Sequence, residues 1–198
     1  PYLSRGLGDV YKRQLTVSSI SASNKTYDGN DTATSTITLS GFIGSETLTS
    51  SNLSSFNNKN VGTVKTVTLN SITLADGANG GLAANYSVPT GQTTTANITA
   101  KALTVSGITA ANKIYDGNAV ATLNTTSLAY NGIVAGDDFA GTYSGAFNNA
   151  NVGTNKTVTI TPTYSGVDVS NYSVTDHATI TANIIAVSYT HLTLPTKC

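Results

Sequence analysis

Asn24-Lys25-Thr26-Tyr27-Asp28-Gly29-Asn30 returns 88 residues later as Asn112-Lys113-Ile114-Tyr115-Asp116-Gly117-Asn118. Working outward, Leu15-Thr16-Val17-Ser18 returns as Leu103-Thr104-Val105-Ser106 at the same offset of 88. Downstream, Phe56-Asn57-Asn58 with Asn60-Val61-Gly62-Thr63 returns as Phe147-Asn148-Asn149 with Asn151-Val152-Gly153-Thr154, at an offset of 91. Asn85-Tyr86-Ser87-Val88 then returns as Asn171-Tyr172-Ser173-Val174 at 86, and Thr95-Ala96-Asn97-Ile98 as Thr181-Ala182-Asn183-Ile184. Offsets that drift by a few residues mean short insertions and deletions in loops between shared elements. A period of about 86 to 88 residues is long enough for a domain with its own core. The chain therefore holds two copies of one domain.

Within each copy the pattern is that of strands and turns. Thr66-Val67-Thr68-Leu69 and Thr157-Val158-Thr159-Ile160 alternate polar and apolar residues, as a strand with one buried face requires. Leu-Thr-Val-Ser alternates in the same way. Asp28-Gly29 and Asp116-Gly117 suit tight turns, because Gly reaches positive φ without steric cost. Asn60-Val61-Gly62 and Asn151-Val152-Gly153 read as a further turn, and Thr95–Thr99 or Thr181–Ile185 closes each copy as a strand. No run of helix formers with a 3.6-residue period is present. The expected fold is all-β: two tandem small domains arranged end to end, sandwich-like, with a β-grasp-like arrangement as the alternative.

The repeat also marks what stands outside it. Ala100-Lys101-Ala102 leads from the first copy into the second, whereas Leu15 follows Tyr11-Lys12-Arg13-Gln14 and Ile185-Ala186 runs into Val187-Ser188-Tyr189. Both arginines, Arg5 and Arg13, and the one cysteine, Cys198, fall outside residues 15–186. The ends resemble translated sequencing-adapter sequence, so residues 1–14 and 187–198 are read as non-native flanks. The expected domains are residues 15–101 and 102–186. The three-residue junction has no Gly, Pro or Ser run, which implies a stiff link and an extended, rod-like arrangement.

Composition excludes several function classes. The complete chain has formal net charge zero. Residues 15–186 carry six lysines against nine carboxylates, a net charge of −3, with no arginine. That is a poor footprint for nucleic acid. A lone cysteine at the last position permits no intrachain disulfide and no cysteine metal cluster. No apolar run is long enough to span a bilayer as a helix, so no membrane span is expected in this stretch.

Candidate sites weigh as follows. Lys25, Tyr27, Asp28 and Gly29, with Lys113, Tyr115, Asp116 and Gly117, are the recurring motif. Its tyrosines could stack on a sugar, but scarce aromatics in a small domain are first of all core. Asp28 with Asp31, and Asp137 with Asp138, could offer oxygens to calcium. Asp31 aligns with Ala119 and Asp138 with Thr47, so neither pair recurs, and solvated turn carboxylates are the expected reading. Lys25 and Lys113 could form an isopeptide bond with a neighbouring Asn or Asp only if buried beside it; a solvated lysine is expected. His177 beside Asp176 aligns with Gly91, outside the repeat's design, and three residue types are not a catalytic triad. No catalytic residue, metal site or cofactor is expected.

The Asn-Lys-x-Tyr-Asp-Gly-Asn motif, found twice with Phe-Asn-Asn-x-Asn-Val-Gly-Thr downstream and Asn-Tyr-Ser-Val near the end, resembles the YDG-domain repeat. The resemblance covers about residues 15–186. It implies tandem modules in large bacterial surface proteins, including filamentous-haemagglutinin-like adhesins, with an extracellular location and no enzyme activity. On that reading the function is a spacer that presents other domains at a distance. The alternative is a module binding carbohydrate or another host ligand. The implied partners are neighbouring repeats of the same polypeptide, with host glycans or matrix beyond them.

Overall fold

The computed structural model describes residues 12–176 and 179–188. Its contacts divide the chain into two compact units at Lys101/Ala102. Both units are all-β; the described residues contain no α-helix and only two 3-10 turns, Ala83–Asn85 and Val169–Asn171.

In the first unit, strands β1 (Arg13–Gln14), β2 (Thr16–Ala22), β3 (Lys25–Thr26), β4 (Thr32–Ala33), β5 (Ser35–Ser40), β6 (Leu48–Phe56) and β7 (Gly62–Asp76) precede β8 (Tyr86–Ser87) and β9 (Thr93–Thr99). A five-stranded sheet takes the order β3-β9-β7-β6-β4. It is antiparallel except at the edge, where β3 runs parallel to β9 with Lys25 opposite Ile98. A two-stranded sheet, β2 with β5, packs across it, β2 against β9 and β5 against β6. Arg13–Gln14, assigned by sequence to a flank, forms β1, pairs with β8 and places the Arg13 Nε 2.6 Å from the Gly41 carbonyl.

The second unit repeats this plan with β10 (Lys101–Ser106), β11 (Thr109–Ala110), β12 (Lys113–Ile114), β13 (Val120–Ala121), β14 (Leu123–Asn124), β15 (Ala129–Asn131), β16 (Ala140–Phe147), β17 (Gly153–Ser165), β18 (Tyr172–Thr175) and β19 (Ile180–Ile185). Its five-stranded sheet is β12-β19-β17-β16-β13, again with a parallel edge pair, Lys113 opposite Ile184. The smaller sheets are β15-β10-β18 and β11-β14. One strand of the first unit, β5, thus corresponds to two here, because the chain turns at Asn124-Thr125-Thr126, where the Asn124 side chain accepts from the Thr126 N–H at 2.9 Å.

The cores follow from the alternation in the sequence. Leu15, Phe56, Val67 and Ile98 are buried in one unit, and their repeat partners Leu103, Phe147, Val158 and Ile184 in the other. Their neighbours along the strands are mostly Thr, Ser and Asn, half-exposed or exposed on the other face. The second, smaller layer closes the core where a β-grasp would lay a helix, so the arrangement is sandwich-like.

Candidate functional site

Strands β3 and β4 lie at opposite ends of the strand order of the five-stranded sheet, and the Tyr-Asp-Gly-Asn segment joins them. The two edges come close enough for one lysine side chain of β3 to reach the Thr32 carbonyl of β4. The motif is a turned strap between them. Gly29 makes its turn at φ 84° and Gly117 at φ 80°, in the left-handed region that favours glycine. Asp28 Oδ1 accepts from the Asn30 N–H at 3.1 Å, and Asn30 Oδ1 from the Thr32 N–H at 2.9 Å, so two side chains satisfy the strap's own backbone.

The lysine closes the strap from beneath. Lys25 Nζ donates to Asp28 Oδ1 at 2.7 Å, the Asn30 carbonyl at 2.9 Å, Asn30 Oδ1 at 3.0 Å and the Thr32 carbonyl at 3.0 Å. The ammonium also lies 5.8 Å from the centre of the Phe56 ring. Lys113 repeats the set, reaching Asp116 at 2.8 Å, the Asn118 carbonyl at 3.1 Å, Asn118 Oδ1 at 2.9 Å and the Val120 carbonyl at 3.1 Å. Partial burial pushes the Asp28 carboxyl up, but the hydrogen bonds from Lys25 and the Asn30 N–H outweigh it and leave its pKa lowered. For Asp116 the Lys113 hydrogen bond comes first, followed by the Asn118 N–H, and its pKa is lowered too.

This geometry bears on the isopeptide reading. Lysine, carboxylate and carboxamide are brought together in both units. Yet each lysine Nζ spends its hydrogen bonds on oxygens of the strap, namely a carboxylate, a carboxamide Oδ1 and two backbone carbonyls. The arrangement is an internal ion clamp.

The motif tyrosines diverge. Tyr27 is 1% exposed and Tyr115 is 45% exposed. The Lys59 ammonium stands 5.7 Å from the Tyr27 ring centre, and the position aligned with Lys59 is Ala150, too short to cover Tyr115. Tyr86 and Tyr172 are both buried, and their hydroxyls do the same work: each donates to a carboxylate at 2.5 Å (Glu46, Asp137) and accepts a backbone N–H (Ile43 at 3.1 Å, Val134 at 2.9 Å). The hydrogen bond to Glu46 raises the Tyr86 pKa. The two tyrosines of the motif therefore do not open as matching grooves.

The other candidates do not gather. Asp137 is bonded to Tyr172, while Asp138 accepts from the Val167 N–H at 3.2 Å and so ties down a separate loop. Asp176 accepts from the Tyr164 hydroxyl. Among the described residues no three His, Cys, Asp or Glu side chains cluster as a metal set. His177 lies outside the described residues.

Sequence reasoning passed over the asparagines. Asn24 Oδ1 accepts from the Asn97 N–H at 2.7 Å, and Asn112 Oδ1 from the Asn183 N–H at 2.8 Å. Asn97 and Asn183 in turn each take the N–H of a bulge residue, Val64 or Asn155, at 2.7 Å. Asn58 and Asn149 hold Lys65 and Lys156 at 2.7 Å. The signal was present: each of these asparagines recurs at its repeat position.

Compared with known protein families, the chain matches the YDG domain twice, over residues 11–96 and 99–182. The chain belongs to the YDG-domain family. The two matches cover both units, and the first begins within the stretch read as a flank. No curated protein and no solved structure matches the chain. The Tyr-Asp-Gly residues lie in the strap, and in both copies the motif's lysine, aspartate and asparagine side chains are engaged with the unit's own backbone and side chains.

Proposed function

We propose that these tandem YDG domains are a structural spacer of a bacterial surface or secreted protein, without enzyme activity, presenting other domains at a distance outside the cell. One observation carries this reading. In both copies the motif's lysine is turned inward, with Lys25 and Lys113 spending their ammonium groups on the strap's own oxygens. A motif kept for substrate would leave polar groups aimed at solvent; this one fastens two sheet edges together. Lys65 and Lys156 are likewise held by Asn58 and Asn149, so four lysines act as internal struts rather than as a basic face for a polyanion.

The mechanical role has a direct test. Stretched from its ends, the full chain should unfold in two separate events of similar force, one per unit, with the clamp variants Lys25→Met and Lys113→Met each weakening one event. A single event, or variants that leave both forces unchanged, would overturn the spacer reading. The alternative, a module binding carbohydrate or another host ligand through the motif itself, predicts a surface common to both units. Tyr27 and Tyr115 differ in exposure and do not supply one.

A further inference from the structure

The units differ most along one edge of the main sheet. In each, the edge strand is short: β4 pairs with β6 only at Thr32–Ala33, and β13 with β16 only at Val120–Ala121. Beyond those two pairs, β6 and β16 have no ladder partner on that side among the described residues.

The first unit closes this edge with side chains. Asn52 of β6 donates to the Ser35 carbonyl at 3.3 Å and to Ser35 Oγ at 2.5 Å, and Ser35 Oγ lies 2.6 Å from Ser54 Oγ. These bridges tie β6 to the start of β5. At the aligned positions the second unit has Leu123, Tyr143 and Gly145 in place of Ser35, Asn52 and Ser54, so none of the bridges can form. Leu123 folds over Gly145 instead, and the Tyr143 ring folds over Gly141 towards the Tyr130 hydroxyl.

What remains is a groove of about 420 Å³. One wall is Gly141-Thr142-Tyr143-Ser144-Gly145, five consecutive residues of β16. Because side chains alternate across a strand, five consecutive lining residues mean that the strand's backbone edge itself faces the groove. The opposite wall includes Val120, Leu123 and Leu128, and no lining residue carries a charge.

We propose that this groove is a strand-addition site, specific to the second unit, that takes an extended, uncharged polypeptide segment alongside β16. An unpaired strand edge is a template for another strand, and proteins normally blunt it. The first unit does so at Asn52 and Ser54, leaving a smaller hollow of about 280 Å³ beside Leu48 and Ser50; the second leaves the edge open along five consecutive residues. The incoming chain would continue the backbone ladder from the β13 pair over residues 141–144 while its side chains rest on Val120, Leu123 and Leu128. Uncharged walls offer nothing to a phosphate, a sulfate or a charged peptide. The site goes beyond the spacer role and does not depend on it.

The test uses the full chain and the capped peptide Thr-Val-Thr-Val-Thr, followed through backbone amide shifts by NMR. Shifts are expected at residues 141–145 and 120–123 and not at Ser50–Ser54, the same edge of the first unit. The same peptide carrying N-methyl groups at alternate amides should bind at least about tenfold more weakly, since it loses ladder bonds and no side chain. The triple variant Leu123→Ser, Tyr143→Asn, Gly145→Ser, which restores the bridges of the first unit, should abolish the shifts. Absence of shifts, equal shifts in both units, or equal binding of the methylated peptide would overturn the proposal. So would a neutral disaccharide, cellobiose, that moves these amides when the peptide does not.

Discussion

The two units share a frame and differ in how they finish it. Phe56 and Phe147, Val67 and Val158, and Ile98 and Ile184 occupy matching buried positions, and Lys25 and Lys113 bind matching sets of oxygens. Around that frame, the first unit fills one sheet edge with Ser35, Asn52 and Ser54 where the second has Leu123, Tyr143 and Gly145. The second unit also has aromatic residues, Phe139, Tyr143 and Tyr164, where the first has Leu48, Asn52 and Leu74. Their rings pack edge-on or tilted, with Phe139 5.2 Å from Tyr164 and Tyr143 6.2 Å from Tyr164. The comparison separates what the fold needs from what each copy has been free to change. Strap, clamp and core are needed; the β6/β16 edge is free.

If that division holds, truncating the frame must injure either copy equally. Ile98→Ala and Ile184→Ala remove buried side chains at equivalent places and should each cost about 2–5 kcal/mol. Each should lower only its own unit's transition in a thermal melt followed by residue-resolved NMR. Unequal costs would show that the cores are less alike than their residues.

The clamp comes next in size. Lys25→Met and Lys113→Met leave a carboxylate and several carbonyls without their donor, and about 1–3 kcal/mol is expected from each. Acid should act through the same contact. Asp28 and Asp116 have pKa values lowered from 3.8, so their contribution is present above that value and fades as pH falls through the folded-state pKa. Melting temperature should therefore drop below about pH 4, and the methionine variants should flatten that drop. An acid limb of unchanged steepness in the double variant would remove the clamp from the argument.

How much of this could be read from the chain alone follows the same division. The duplication, the all-β class and the alternating cores were legible because burial imposes a period of two on Thr66-Val67-Thr68-Leu69 and its twin. The inward use of the motif was partly legible: aromatic scarcity argued for buried tyrosines, which holds for Tyr27, Tyr86 and Tyr172. Tyr115 escapes because nothing local encodes its cover; the difference includes Lys59 against Ala150, more than thirty residues downstream. The lysine clamp was not foreseen, since it requires β3 and β4, the two end strands of one sheet, to come within reach of a single side chain, a fact of topology rather than of spacing. The groove was also hidden, because it arises from three substitutions dispersed over residues 123–145.

A smaller effect should separate the units at high pH. Burial and the Asp176 contact push Tyr164 up to about 12. Burial and the Tyr130 hydroxyl raise Tyr143 as well, while in the first unit Tyr86 is raised by Glu46. A folded pKa above the unfolded value of about 10 gives stability that is complete below pH 10 and lost as pH climbs through the folded value. The second unit, with two such phenols packed together, should lose on the order of 1 kcal/mol more between about pH 10 and 12. Tyr164→Phe should narrow that gap, read as the pH midpoint of each unit's unfolding.

The subtlest difference lies in the bulge after the β6–β7 and β16–β17 turns, where register slips between Gly62 and Lys65 and between Gly153 and Lys156. The bulge forces a left-handed residue, Val64 at φ 53° in the first unit and Asn155 at φ 49° in the second. Asparagine tolerates that region, whereas a β-branched valine is strained there. Val64 is largely exposed, so its side chain contributes little packing to offset the strain. Both backbone N–H groups are already held, by Asn97 and Asn183, so exchanging the side chains leaves that bond in place. Val64→Asn should therefore stabilise the first unit by about 1 kcal/mol, and Asn155→Val should destabilise the second by about as much. The double exchange should leave the summed stability near its starting value while reversing which unit is the more relaxed at this corner. If Val64→Asn gave no gain, the bulge would not be what separates the two copies at this corner, and the difference would have to come from residues that surround it.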